Sequence, residues 1–247
     1  MTSLFHSELR KLLATPATWW LLLATAAVGV LGTLAPLIAF DGKPVDLLAD
    51  RQIRTALHGA AGGAVLVLVA GILGMAGEWR FGQISQTLLS TPRRDRLVVV
   101  KTALFSMVGL AYGSAAALAA GATAGTWYAQ RGVTLPVSHS SVWLTLLGCV
   151  VVSGLFGMVG VAVGAVVRRP VPAIVGTLAW VAIIEPALFA ASPSTFRWLP
   201  GIASLSLRRQ PAEHLLAPPT AAIVLLVLLL GAVVAGVIMV ERDDVTA

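Results

Sequence analysis

AAIVLLVLLLGAVVAGVIMV, Ala221 to Val240, runs for twenty residues without a charge, a proline or any alternation of polar with apolar positions. A strand with one face in lipid and the other in a lumen needs that alternation, and a β-barrel repeats it in segments of roughly ten residues. A helix of about 20 apolar residues crosses roughly 30 Å of hydrocarbon with its backbone groups paired inside the segment. The stretch therefore predicts a transmembrane helix.

Working outward from it, five more apolar runs of spanning length precede the one that carries this stretch, which runs from Pro219 to Val240. They are Ala17 to Phe40, Leu57 to Gly77, Thr102 to Ala129, Val142 to Val167 and Val171 to Ala191. The composition agrees, with 57% hydrophobic and 11% charged residues against roughly 25% charged in soluble domains. The expected fold is all-α: one polytopic transmembrane domain over residues 1–247 with six transmembrane helices. The first run follows Arg10 and Lys11 as a signal peptide's would, but it is too long for a signal h-region and five spans follow, so it reads as an uncleaved helix. Cys149, the single cysteine, lies in the fourth span without a metal-ligand pattern and reads as packing.

Six spans put both termini on one side, and the connections divide the Lys and Arg residues ten to that side and seven to the other. The ten include the densest cluster, in the short connection between the second and third spans, where the positive-inside rule holds best. Both termini and this connection are therefore assigned to the cytoplasm. Topology and lipid contact account for the net charge of +6, and no basic soluble domain remains to hold a nucleic acid.

That connection, EWRFGQISQTLLSTPRRDRLVVVK from Glu78 to Lys101, carries five of the seventeen Lys and Arg. Phe81, Ile84 and Leu88 fall at i, i+3 and i+7, one face of a short amphipathic helix. Pro92 disfavours helical geometry at Thr91 and ends that helix. Two readings of the residues stand side by side, an interfacial helix with snorkelling arginines and a docking element. Glu78, Arg80, Gly82, Gln83, Thr87 to Leu89, Thr91 to Arg94 and Lys101 also resemble the loop between the second and third helices of type-2 ABC transporter permeases. In outline the resemblance extends over the whole chain.

The resemblance implies a permease subunit of an ATP-driven exporter in the cytoplasmic membrane. Residues 78–101 would hold its coupling helix, docked in a groove on a separately encoded ATPase. Phe81, Ile84 and Leu88 would supply an apolar ridge, Gly82 and Pro92 the turn pattern, and Glu78, Arg80, Arg93 and Arg94 charges for the groove's rim. Two ATPase subunits, holding ATP and magnesium, and a second permease copy or homologue would complete the complex. The chain itself has no P-loop: Lys101-Thr102 follows Val-Val-Val, without the glycines that cradle phosphate. No cofactor or metal is expected in this chain, nor catalysis by it, since no converging set of catalytic residues occurs within or across the spans. The cargo implied is amphipathic or lipid-like: a drug, antibiotic, peptide or lipid.

Three further segments carry expectations. Residues 1–16 place Leu4, Phe5, Leu9, Leu12 and Leu13 near helical spacing, an interfacial helix that ends at Pro16. Residues 192–218 are punctuated by proline and resemble the family's extracytoplasmic re-entrant half-helices, with Trp198 at headgroup depth and Arg197, Arg208 and Arg209 facing lipid phosphate or an anionic substrate. Glu185 is the ionisable residue deep in a span, a possible pathway or gate group; the alternative is that the fifth helix ends near Ile184 and Glu185-Pro186 opens the re-entrant segment. Glycines four apart, at 59 and 63, 109 and 113, 121 and 125, and 160 and 164, read as packing contacts within the bundle. Two other functions fit the same residues. One is a membrane anchor or sensing subunit that recruits a cytoplasmic partner without transport; the other is a secondary transporter using Glu185.

Overall fold

The computed structural model describes residues 2–80 and 94–241, which are helical throughout their ordered elements and contain no strand. In chain order the helices are α1 (Thr2–Ala14), α2 (Pro16–Ile38), α3 (Asp50–Leu57), α4 (Ala64–Arg80), α5 (Arg94–Gln130), α6 (Ser140–Val167), α7 (Pro170–Ala179), α8 (Glu185–Ala191), α9 (Pro193–Phe196), α10 (Pro200–Leu207) and α11 (Pro218–Glu241). Six stretches are long and apolar enough to cross a membrane: Pro16–Ile38, Asp50–Arg80, Arg96–Gln130, Ser140–Val167, Pro170–Ala191 and Pro218–Val240. Five of them contain the expected spans whole and the first stops at Ile38, two residues short of the expected Phe40; the chain is an α-helical multi-pass membrane protein.

Proline sets most of the helix starts. Pro16, Pro170, Pro193 and Pro200 each stand in the first turn after a non-helical residue, where the missing N–H is an orphan anyway and the fixed φ suits the helix. Arg168 ends α6 by turning left-handed at φ 60° while its N–H bonds the Gly164 carbonyl. The chain then reverses within two residues into Pro170.

One connection differs from the sequence expectation, and one open alternative is decided. From its sequence, FDGKPVDLLADRQIRTALHG (Phe40 to Gly59) reads as a short outward loop with an interfacial helix, but that helix is continuous with the second span: α3, a 3₁₀ stretch at His58–Gly63 and α4 form one rod from Asp50 to Arg80. Ile53, Ala56 and Leu57 pack with Leu37, Leu47, Ala124, Tyr128 and Val142, and that contact draws the rod past the apolar run. The fifth span does not stop at Ile184. It passes through a π-helical stretch, Trp180–Ile184, and continues as α8 to Ala191. Pro186 has no N–H to give the preceding turn, and a widened turn lets a helix continue past such a gap.

The second and fourth spans form the centre, with 56% of each apolar window buried against 11% in the fifth. Glycine lets them approach. Gly59 and Gly63 meet the first span at Gly32 and Thr25, Gly109 and Gly113 meet Ser153 of the fourth, and Gly160 and Gly164 meet Leu68 and Ile72 of the second. Three of the four expected pairs thus pack spans together. The fourth does not, since Gly121 touches only Leu146 and Gly125 faces open space. Exposed Trp19, Trp20, Leu23, Leu31, Ile38, Leu226, Val227 and Leu230 on the first and sixth spans form the outer surface that lipid solvates.

Candidate functional site

The end of the bundle that carries the N-terminus holds a cluster of buried charges. Glu8 of α1, Glu78 near the end of the second span and Lys101 in the third are all buried. The Lys101 ammonium donates to Glu8 Oε2 at 2.7 Å, Glu78 Oε1 at 2.9 Å and the Gly74 carbonyl at 2.9 Å. All three protons of the ammonium are thereby used. Lys11, on the exposed side of the cluster, donates to Glu8 Oε1 at 2.5 Å and lies 3.8 Å from Glu78 Oε1. Two carboxylates and two ammoniums balance, as a buried ion cluster must if its desolvation is to be offset.

Burial alone would raise the Glu8 carboxyl, but Lys101 and Lys11 outweigh it and hold the group below its ordinary value. For Lys11 burial pulls downward, and Glu8 with Glu78 outweighs that and keeps the ammonium above its ordinary value. Both shifts favour the charged forms. The cluster borders a depression of about 520 Å³ between α1 and the first three spans, walled by Leu12, Leu21, Phe105 and Tyr112. Tyr112 closes its far side by donating to the Thr18 carbonyl at 2.5 Å.

Of the residues expected to meet a partner, Glu78, Arg80 and Arg94 fall among the described ones. Glu78, expected to meet a partner's rim, faces inward and is paired with Lys101. Arg80 is exposed at the end of the second span beside Trp79, Arg168 and Arg169, and the Arg168 guanidinium lies over the Trp79 ring and donates to the Met239 carbonyl. Phe81, Gly82, Ile84, Leu88, Pro92 and Arg93 lie outside the described residues, and Arg94 is described only as the first residue of α5. Glu8 was not singled out from sequence. Its signal was register: it stands four residues from both Leu4 and Leu12, on the stripe that α1 turns toward the bundle. Lys101 likewise falls between buried Val98 and Phe105.

Glu185 is fully buried where the π-helical stretch of the fifth span ends. Its Oε1 accepts from the Trp180 indole at 2.7 Å, and its Oε2 accepts from the Ile202 N–H at 3.1 Å. The second bond caps the N-terminus of α10, a position where a carboxylate is favourable to the helix dipole. Gly201 leaves room for this contact, because a Cβ there would overlap the Glu185 carboxylate and displace it. At its other end α10 is pressed against the fourth span so closely that a Cβ at Gly148 would overlap the Leu207 carbonyl. Ile202, Ala203, Ser204 and Ser206 are buried, and Ala203 packs with Leu216, Ala221 and Leu225 at the start of the sixth span.

Glu185 also borders a cavity of about 310 Å³ between the second, fourth, fifth and sixth spans, walled by Leu155, Val159, Val163, Leu225, Leu228 and Leu229 among others. Among the described residues no group of three or more His, Cys, Asp or Glu is placed to hold a metal ion. The sequence matches no known protein-family model and no curated protein.

Proposed function

We propose that the chain is the membrane-spanning permease subunit of an ATP-driven exporter in the cytoplasmic membrane, with both termini cytoplasmic. It acts as a dimer and couples to two separately encoded ABC ATPase subunits that bind ATP and magnesium. The observation that carries the reading is the Lys101 bridge to Glu8 and Glu78. It joins the N-terminal helix to the two helices that flank residues 81–93, so a force applied to that connection acts on one braced unit and not on a loose loop. In this reading Phe81, Ile84 and Leu88 present the apolar ridge to the ATPase groove, and Arg80, Arg93 and Arg94 meet its rim.

ATP-driven approach of the two ATPases then displaces the connection, and the second and third spans carry the motion into the bundle. ATP hydrolysis belongs to the partner. The cargo is amphipathic or lipid-like, in keeping with the apolar lining of the spans. Residues 192–218 form the extracytoplasmic re-entrant segment, with α10 as its inserted helix and Glu185 as the group that anchors it at the end of the fifth span.

The test is association. Tagged chain purified in mild detergent from its native membrane brings down an ATPase, and Phe81→Asp with Leu88→Asp abolishes that capture while the chain stays membrane-inserted. Capture of a cytoplasmic partner without a nucleotide-binding motif supports an anchor or sensing subunit instead.

A further inference from the structure

The fifth and sixth spans do not lean on each other. Among the described residues, the fifth packs through α7 on the second and fourth spans, and the sixth packs on the third and fourth spans and on α10, but the fifth and sixth share no extended contact. The π-helical stretch Trp180–Ile184 makes no extended contact outside its own span, and none of its residues is buried. The apolar cavity of about 310 Å³ described above has Gly176, Trp180 and Val181 on its fifth-span side and Leu225, Leu228, Leu229 and Ala232 on its sixth-span side. Trp180 and Leu228 are 41% and 44% exposed, whereas Leu225 and Leu229 are 7% and 3% exposed. The cavity is thus a cleft with a buried floor and a mouth on the surface that lipid solvates.

The wall offers a ligand no charge and no spare donor. Its polar side chains are Thr177, Trp180, Glu185 and Ser204. Thr177 donates to the Ala173 carbonyl at 2.7 Å, Ser204 to the Gly201 carbonyl at 2.6 Å and the Trp180 indole to Glu185 Oε1 at 2.7 Å. Glu185 accepts a second bond from the Ile202 N–H at 3.1 Å and is 0% exposed, so its carboxylate borders the cavity without being presented to it. A polar or charged head would give up its hydration there with nothing to replace it. A hydrocarbon chain gives up no hydrogen bond on entering, and the volume falls at the lower end of small-molecule sites, roughly 300–1,000 Å³.

We propose that this cleft holds a single hydrocarbon chain of a bilayer lipid, taken by its chain and not by its head, which enters from the side past Trp180 and Leu228. The mouth faces hydrocarbon, so the bilayer itself supplies the occupant. The site lies within one copy of the protein and does not rest on the exporter reading. A chain seated there fills the space that the fifth and sixth spans leave between them, and it borders α10 at Pro200, Gly201 and Ser204.

The experiment reconstitutes the full-length chain in phosphatidylcholine nanodiscs that include a phosphatidylcholine with a diazirine midway along one acyl chain, and maps the adducts after illumination. Labelling is expected at Leu225 and Leu229 on the floor of the cleft. It is also expected at Leu226 and Leu230, which are exposed on the sixth span and report ordinary surrounding lipid. Gly176→Phe, where no atom lies within 4 Å of the added Cβ, and Ala232→Trp from the opposite wall narrow the cleft. Each removes labelling at Leu225 and Leu229 and leaves Leu226 and Leu230 labelled, which separates loss of the site from loss of the fold. Phosphatidylglycerol carrying the same diazirine chain labels the floor as strongly as phosphatidylcholine does. Labelling confined to Leu226 and Leu230, floor labelling that both narrowing variants leave unchanged, or floor labelling by one head group alone overturns the proposal. So does reaction of Leu229→Cys, in a Cys149→Ala background, with a water-soluble methanethiosulfonate, the sign of a water-filled chamber.

Discussion

Lys101 shows what a single side chain can carry in this fold. Replacing it with methionine leaves Glu8 and Glu78 close together and buried, with only the exposed Lys11 beside them. Removing one partner of a buried ion pair costs about 3–5 kcal/mol, so Lys101→Met lowers the thermal midpoint of the purified chain and exposes the amides of α1 to hydrogen exchange. Lys11→Met costs no more than about 1 kcal/mol, because Lys11 sits on the solvent side. The direction of the Glu8 shift also fixes a pH dependence. A carboxylate whose folded value lies below its ordinary 4.5 contributes stability that is present above 4.5 and is lost as pH falls through the lowered folded value. Wild-type thermal midpoints therefore drop in that acid window, and Glu8→Gln, already weakened at neutral pH, shows a flatter profile. For Glu185→Gln, one of two donors, the Trp180 indole or the Ile202 N–H, is left facing an NH₂ group. The expected loss is about 1–3 kcal/mol in thermal unfolding, with Glu185→Asp intermediate.

Helices in lipid gain nothing from hiding apolar side chains from one another, so close packing and polar contacts hold them together. The glycines test this at the level of elements. Gly160→Val forces a branched side chain into the Leu68 backbone of the second span, and overpacking of this kind costs about 1–3 kcal/mol or prevents folding. Gly125→Val, at a position with no neighbour within 4 Å, leaves the thermal midpoint within about 1 °C if the open face is solvated by lipid alone; ΔΔG away from packed sites is usually within about 0.5 kcal/mol. Sequence spacing could not separate these two glycines. Each has a partner four residues away, and only the position of the facing helix distinguishes them. The same limit applied to Asp50–Leu57, whose polar character predicted a separate interfacial helix. Burial of Ile53 and Leu57 against Tyr128 and Val142 made it the first turns of the second span.

For the whole molecule, charge counting predicts an orientation and the bundle groups its ends. α1, the Glu78 end of the second span, the Arg168 turn and the end of the sixth span meet at one end; Leu37, Leu47, Tyr128 and Val142 meet at the other. In a Cys149→Ala background, Ser138→Cys is expected to react with a membrane-impermeant maleimide in intact cells. Ser7→Cys, also exposed, is expected to react only after permeabilisation. The reverse pattern would place both termini outside and remove the cytoplasmic docking surface from the proposed function. The number of spans, their helical nature and most of their boundaries were legible in the chain, because crossing hydrocarbon requires some twenty consecutive apolar residues whatever the neighbours do. The amphipathic stripe of α1 was legible for the same local reason. What tertiary structure decided is where the few polar groups inside the bundle go. Glu8, Glu78 and Lys101 are separated by 70 and 23 residues, and Glu185 and Ile202 by 17. Nothing local links them; they pair because lipid cannot solvate a charge and the packed helices bring partners for each one within reach.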